Sequence, residues 1–217
     1  MHRAECGIAH DITPLIETKE QLTQLSYYDD LTGLANYRLF SDRVEQMINL
    51  SQRKNQSMAL LFIDLDGFKL INDNFGHATG NAALNETASR LQSLLRDSDT
   101  AARLGGDEFA LILFDSGTHA TKVVAQKILN SLLSPFIIDG QKFSIGSSIG
   151  IAIYPQDGDD SKTLLGQADS AMYFAKQNNK AFTFCTHELN EKSLRRLKLE
   201  QALRAVLAQN KKTVHQN

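Results

Sequence analysis

"ARLGGDEFALILF", residues 101–113, sets two glycines and two acids inside an otherwise apolar run. A buried strand needs none of the four. Strands at roughly 100–104 and 108–114 flank Gly105-Gly106, and this close spacing across glycines predicts an antiparallel hairpin. Asp107 and Glu108 then stand at the hairpin, beside an apolar Phe109. A second acidic strand end lies upstream, where "SMALLFIDLDGF" (57–68) closes on Asp64 and Asp66. If the two strands are neighbours in one sheet, Asp64 and Asp107 meet at one edge. Burying unpaired carboxylates that close costs several kcal/mol each, by order of magnitude. A divalent cation removes the penalty, and oxygen ligands select Mg²⁺ or Mn²⁺ over softer metals. Glycines beside such a site let a backbone approach a phosphate closely. Taken alone, the four residues describe a surface hairpin with a Gly-Gly turn and solvated acids better than they describe a metal site.

Outward from the hairpin, the chain reads as alternating strands and amphipathic helices. "DDLTGLAN" (29–36) is a turn punctuated by Asp30 and Gly33. A helix follows with Phe40, Val44, Met47 and Ile48 on one face. After the first long strand, Leu84, Thr87, Ala88, Leu91 and Leu95 mark the buried stripe of a long helix. A helix at 118–133 carries Val124, Ile128 and Leu132, and Pro135 marks its end. "FSIGSSIGIAIYP" (143–155) reads as one strand in which Gly146 and Gly150 permit close packing or a bulge. Leu165, Ala168, Met172 and Ala175 define another helix, and "AFTFC" (181–185) a short last strand. The order predicts an α+β fold with helices over a mostly antiparallel sheet.

Composition narrows the function. With 217 residues, 42% hydrophobic and 22% charged, the chain is an ordinary globular protein of one domain with extensions. A net charge of −2 offers no electrostatic footprint for nucleic acid or an anionic membrane. No apolar run approaches the roughly 20 residues of a membrane span, and no signal-peptide h-region is visible. Direct membrane insertion and nucleic-acid binding are therefore not expected. Cys6 and Cys185 lack metal-ligand spacing and read as reduced thiols of a cytoplasmic protein.

"GGDEF" at 105–109, "DLDGFKLINDNFGHATGN" at 64–81, "YDDLTGLAN" at 28–36 and "ADSAMYFAKQNNK" at 168–180 together resemble the GGDEF family of diguanylate cyclases. The matches keep the family's order over about residues 27 to 184. The resemblance implies a palm-like sheet, related to nucleotide cyclases and polymerases, with helical extensions at both ends. It implies condensation of two GTP into cyclic di-GMP and pyrophosphate, with a homodimer presenting the two substrates. By the same resemblance Asp64 and Asp107 hold Mg²⁺ or Mn²⁺ with the Leu65 carbonyl. Asp107 lies near the attacking 3′-hydroxyl, and Glu108 supports the site. Phe68 and Lys69 belong to a loop whose amides cradle phosphates. Asn72, reading the guanine edge, and His77 line the nucleotide, Lys176 pairs with phosphates, and Gly105 and Gly106 pass beneath it. Arg96 and Asp99, in "RDSD" (96–99), match the family's inhibitory site for cyclic di-GMP; the ordinary alternative is a helix-end charge pair.

Three positions depart from the family pattern. Asn81 stands where Asp is usual, Lys180 where Arg is usual, and Asn179 where Gly is usual. A carboxylate accepts both donors of the guanine edge, whereas an amide offers one carbonyl oxygen. Lys180 keeps a charge for phosphate and loses the planar fork. Asn tolerates the left-handed region that a turn glycine supplies. The flanks resemble other modules: "GIAHDIT" (7–13) the end of a PAS sensor, and "RRLKLEQALRAVLAQNKK" (195–212) the linker to an EAL-type phosphodiesterase. The expected organisation is a linker over 1–26, a GGDEF domain over 27–186, and a linker helix with frayed tail over 187–217. In such hybrids the domain is either a cyclase or a GTP-binding regulator of its neighbour.

Overall fold

A computed structural model describes residues 27–186; the expected linker, tail helix and flanking modules lie outside the described residues. Among the described residues, helices α1 (Tyr37–Lys54), α2 (Phe68–Ser93), α3 (Thr118–Leu133) and α4 (Ser161–Gln177) alternate with strands β1 (Met58–Asp66), β2 (Thr100–Gly105), β3 (Glu108–Phe114), β4 (Phe136–Ile138), β5 (Gln141–Phe143), β6 (Gly146–Tyr154) and β7 (Phe182–Phe184). Five strands form one sheet in the order β2-β3-β1-β6-β7. All its pairings are antiparallel except β6 with β7.

β1 is buried almost end to end because it is the central strand, covered on both faces. Its side chains alternate between two cores, as the two-residue period of a strand requires. Ala59, Leu61, Ile63 and Leu65 meet Leu84, Ala88 and Leu91 of α2 and Ala125, Ile128 and Leu132 of α3. Met58, Leu60 and Phe62 meet Phe40 and Val44 of α1 and Leu164, Ala168 and Met172 of α4. The result is an α/β/α sandwich, the α+β architecture expected from the element order.

The hairpin is as expected: β2 and β3 pair across Gly105-Gly106, with Ala102 opposite Ala110. β3 also pairs with β1, setting Asp64 directly opposite Glu108. Gly150 gives the close packing anticipated for it. A Cβ there would lie 1.9 Å from the Ala168 carbonyl oxygen and 2.1 Å from the Met172 nitrogen, so α4 rests directly on β6.

Four local readings need correction. The segment 143–155 is not one strand: Phe143 ends β5 and Gly146 begins β6. The missed β4–β5 hairpin turns on Asp139-Gly140, both at positive φ (50° and 76°). An Asp-Gly pair between "FII" and "QKF" is the sequence signature of that turn. α2 begins at Phe68, so Phe68 and Lys69 lie in a helical first turn rather than a loop. Gly67, at φ 77° and ψ 8°, turns the chain from β1 straight into the helix. The same helix breaks at Gly76 (φ 83°, ψ 163°) and ends at Ser93, leaving Leu95 beyond it. Finally, the "DDLTGLAN" turn is built on Asp29 rather than Asp30. The Asp29 carboxylate accepts from the Thr32 N–H (2.9 Å) and hydroxyl (2.6 Å), while Asp30 is exposed.

Candidate active site

Strand parity decides which acids face which helix. Asp64 and Asp66 follow Met58, Leu60 and Phe62 on the α1/α4 face of β1, and Glu108 precedes Ala110 and Ile112 on the same face of β3. α4, pinned there by Gly150, presents Lys176 to them, and the Lys176 ammonium donates to the Asp64 carboxylate. Ser148 of β6 donates to both oxygens of Asp66 at 3.1 and 3.2 Å. The Leu65 N–H donates to the Asp107 carbonyl at 3.2 Å, tying the end of β1 to the hairpin turn. The structure thus brings Asp64, Leu65, Asp107, Glu108 and Lys176 to one end of the sheet.

The electrostatics are those of crowded acids. Burial, reinforced by the charges of Asp107 and Asp66, raises the Asp64 pKa above its ordinary value although Lys176 opposes the shift. Glu108 is raised by burial, then by Asp169, Asp64 and Asp107. Burial pulls Lys176 down, but the bond and charge of Asp64, with Asp66 and Asp107, more than offset it and hold the ammonium charged. Such perturbed groups gathered in one place mark candidate functional sites.

The donor chemistry suits a hard divalent ion, since every group offered is oxygen. Among the described residues, no three acidic, histidine or cysteine side chains converge to hold a metal by themselves. Mg²⁺ binds through one or two carboxylates and completes its shell with water and substrate phosphates. A phosphate would find its own cradle next door. The first turn of α2 carries no side-chain cap: the Leu70 N–H bonds back to the Gly67 carbonyl at 2.9 Å, and no side chain caps the amides of Phe68 and Lys69. Free N–H groups at a helix N-terminus, with the dipole behind them, attract anions. The role expected of Phe68 and Lys69 therefore has a physical basis in a helix start.

Gly105 (φ 154°) and Gly106 (φ 51°) are exposed, and a Cβ on either would meet nothing within 4 Å. Asn72 leans on Gly80, across the Gly76 break, so closely that a Cβ at Gly80 would fall 2.0 Å from its Oδ1. His77 and Asn81 are exposed on the second part of α2. Lys176 and Lys180 line a groove of about 490 Å³ together with Asp66, Ser147 and Ser148. Asn179 takes the left-handed conformation (φ 49°) that its substitution for glycine requires.

Arg96 and Asp99 lie away from this cluster, just before the far end of β2. They do not form the charge pair of the ordinary reading. The Asp99 carboxylate accepts from the main-chain N–H groups of Arg96 (3.1 Å) and Phe114 (3.2 Å). It fastens the turn, and the Arg96 side chain borders a groove of about 270 Å³ with Tyr28, Arg43 and Thr100.

Two residues of this region escaped the sequence reading. Arg103 donates to the Gly106 carbonyl (3.0 and 2.8 Å) and to both Asp29 oxygens (3.1 and 3.2 Å). It clamps the glycine turn to the segment preceding α1. The only sequence signal is an arginine two residues before Gly105. Asp169 stands seven residues, two helical turns, before Lys176 and so shares its face of α4; a period count along "ADSAMYFAK" finds it.

Known proteins match this picture. The family described as "Diguanylate cyclase, GGDEF domain" matches residues 26–181. The bifunctional diguanylate cyclase/cyclic di-GMP phosphodiesterase MucR of Pseudomonas aeruginosa is 38% identical over 94% of this chain and 30% of its own length. The diguanylate cyclase TpbB of the same species is 40% identical over 75% of this chain and 38% of its own. The chain thus spans about a third of the length of these relatives. A solved structure of the TpbB GGDEF domain alone superposes with a TM-score of 0.73 at 38% identity, covering 78% of this chain and 99% of that one. With a family match over most of its length and a shared fold, this chain belongs to the GGDEF family of diguanylate cyclase domains.

Proposed function

We propose that the chain condenses two GTP molecules into cyclic di-GMP. The observation that carries this reading is the meeting of Asp64, Asp107 and Glu108 with Lys176 beside the uncapped start of α2. Each 3′-hydroxyl attacks the α-phosphorus of the other GTP; the α–β bridging P–O bond breaks, pyrophosphate leaves with the electron pair, and the hydroxyl proton is lost. One chain presents one GTP, so the reaction needs a homodimer. Asp64, Asp107 and the Leu65 carbonyl would hold Mg²⁺ (or Mn²⁺), which when bound lowers the pKa of the attacking hydroxyl and offsets charge on the transferring phosphoryl oxygens. The α2 amides at Phe68 and Lys69 take phosphate oxygens, as do Lys176 and Lys180. Asn72, His77 and Asn81 orient the base, and Gly105-Gly106 leaves the space it needs. Arg96 binds the product at an inhibitory site while Asp99 holds its turn. PAS and EAL-type neighbours in a longer protein would supply input and a second activity.

A second reading, favoured by Asn81, is a domain that binds GTP or cyclic di-GMP without turnover and regulates an adjoining phosphodiesterase. Incubation with GTP and Mg²⁺ followed by chromatography separates the two. We expect cyclic di-GMP from the wild type and at least a hundredfold less from Asp64→Asn or Asp107→Asn, with the fold kept by circular dichroism. Comparable product from either variant at millimolar Mg²⁺ would remove the metal assignment; no product from the wild type favours the regulatory reading.

A further inference from the structure

Asp64 makes its ion pair with Lys176, and among the described residues no other acid of the cluster has a salt-bridge partner. The Asp64 side chain is 12% exposed, so water does little for its charge. The ammonium is differently placed. Its side chain is 44% exposed, on the last turn of α4, at the edge of the groove that it shares with Lys180. Asp64 thus depends on a nearby cation, while Lys176 is open to solvent in a groove that Asp66 and Lys180 also line.

A metal ion alone would serve Asp64 badly. It would have to displace the ammonium from its hydrogen-bonded carboxylate, and it brings no anion to replace that partner. A metal arriving on a triphosphate supplies both halves: a cation for Asp64, and phosphate oxygens for the displaced ammonium. We propose that Lys176 is a stand-in counter-ion, seated on Asp64 in the nucleotide-free protein and traded to the phosphates when the metal–triphosphate complex enters. The exchange rests on the nucleotide-site reading above and adds to it an order of binding. The chain takes up divalent metal strongly only together with nucleotide, so free metal does not fill and block the site.

The test is Mn²⁺ binding followed by electron paramagnetic resonance on the whole chain, without nucleotide and with a GTP analogue whose α–β bridge cannot be cleaved. Without nucleotide, Lys176→Met should bind Mn²⁺ at least tenfold more tightly than the wild type. The double variant Lys176→Met/Asp64→Asn should lose that gain, which locates the ion at Asp64. With the analogue present, wild-type Mn²⁺ affinity should rise by a larger factor than that of Lys176→Met. Should Lys176→Met fail to fold, Lys176→Gln takes its place. Unchanged or weaker Mn²⁺ binding by the uncharged variant overturns the exchange, as does a gain that survives loss of Asp64. Cyclic di-GMP production by the wild type alongside such a result would sink the exchange and leave the cyclase reading standing. A wild type that binds no analogue at any Mn²⁺ concentration sinks the nucleotide reading, and the exchange with it, even where the nucleotide-free gain is seen.

Discussion

At Gly80 a single missing Cβ is the space in which another residue works. The Asn72 amide occupies that space, and Asn72 is the residue expected to read guanine. Gly80→Ala would push aside the far end of a flexible side chain rather than backbone. Within a helix the added methyl is worth about 0.5–1 kcal/mol of stability. The expected outcome is a melting temperature at or above that of the wild type, with GTP affinity reduced about tenfold, the scale of one lost hydrogen bond. Calorimetry with the non-cleavable analogue and a thermal melt measure the two effects. Undiminished affinity would show that Asn72 does not contact the base. The same logic separates Gly105 and Gly106 from Gly80: their freedom is conformational, and the space above them is open.

Between elements, two contacts decide where the site's parts sit. The first is α4 on β6. Because a Cβ at Gly150 would strike the backbone of Ala168 and Met172, Gly150→Ala should cost roughly 1–3 kcal/mol. Gly166→Ala, on the same helix with nothing within 4 Å, should instead gain about 0.5–1 kcal/mol. Urea unfolding of the pair checks both signs; equal effects would contradict the direct seating of α4. The second contact is the Arg103 clamp between Asp29 and the glycine turn. Burial raises the Asp29 pKa, but the Thr32 hydrogen bonds and the Arg103 charge outweigh it, so the folded value is lowered from 3.8. A lowered folded pKa means stability that is present above the unfolded value and lost as pH falls through the folded one. Asp29→Asn should therefore cost about 1–2 kcal/mol at pH 7, and its difference from the wild type should shrink as pH drops below 3.8. A difference that stays constant down to acid pH would assign the loss to something other than the charge.

Across the whole molecule, the acid cluster and the Arg96 turn stand near opposite ends of β2, linked by one hairpin. Product bound at Arg96, as proposed, would act at a distance from the reacting phosphates. Asp99 is spent on the main chain, which leaves the guanidinium to face the groove beside Arg43. Arg96→Ala should weaken cyclic di-GMP binding by about 1.5–3 kcal/mol, the scale of a charge-assisted contact. Initial GTP turnover at low product should be unchanged. Calorimetry with cyclic di-GMP decides, and equal affinities would make "RDSD" a structural turn alone. No helix among the described residues is long and apolar enough to cross a membrane.

What the amino-acid order determined by itself is whatever depends on neighbours along the chain. Apolar periodicity located α1, α3, α4 and the two long strands, and Gly105-Gly106 between apolar runs announced the hairpin. The site was legible as a list of residue types, because "GGDEF", the "DLD" strand end and "AK" keep their spacing. The Asp139-Gly140 hairpin is equally local, marked by an Asp-Gly pair between two three-residue strands. Only the tertiary structure decided which residues meet. Neighbouring β1 and β3 set Asp64 against Glu108, and strand parity turned both acids toward α4. A glycine 26 residues before Lys176 brought that helix close enough for an ion pair. Arg103 joining Asp29, 74 residues away, has no trace in local pattern. Such pairs are fixed by sheet order and by how closely two backbones approach, and neither is a property of any short stretch of sequence.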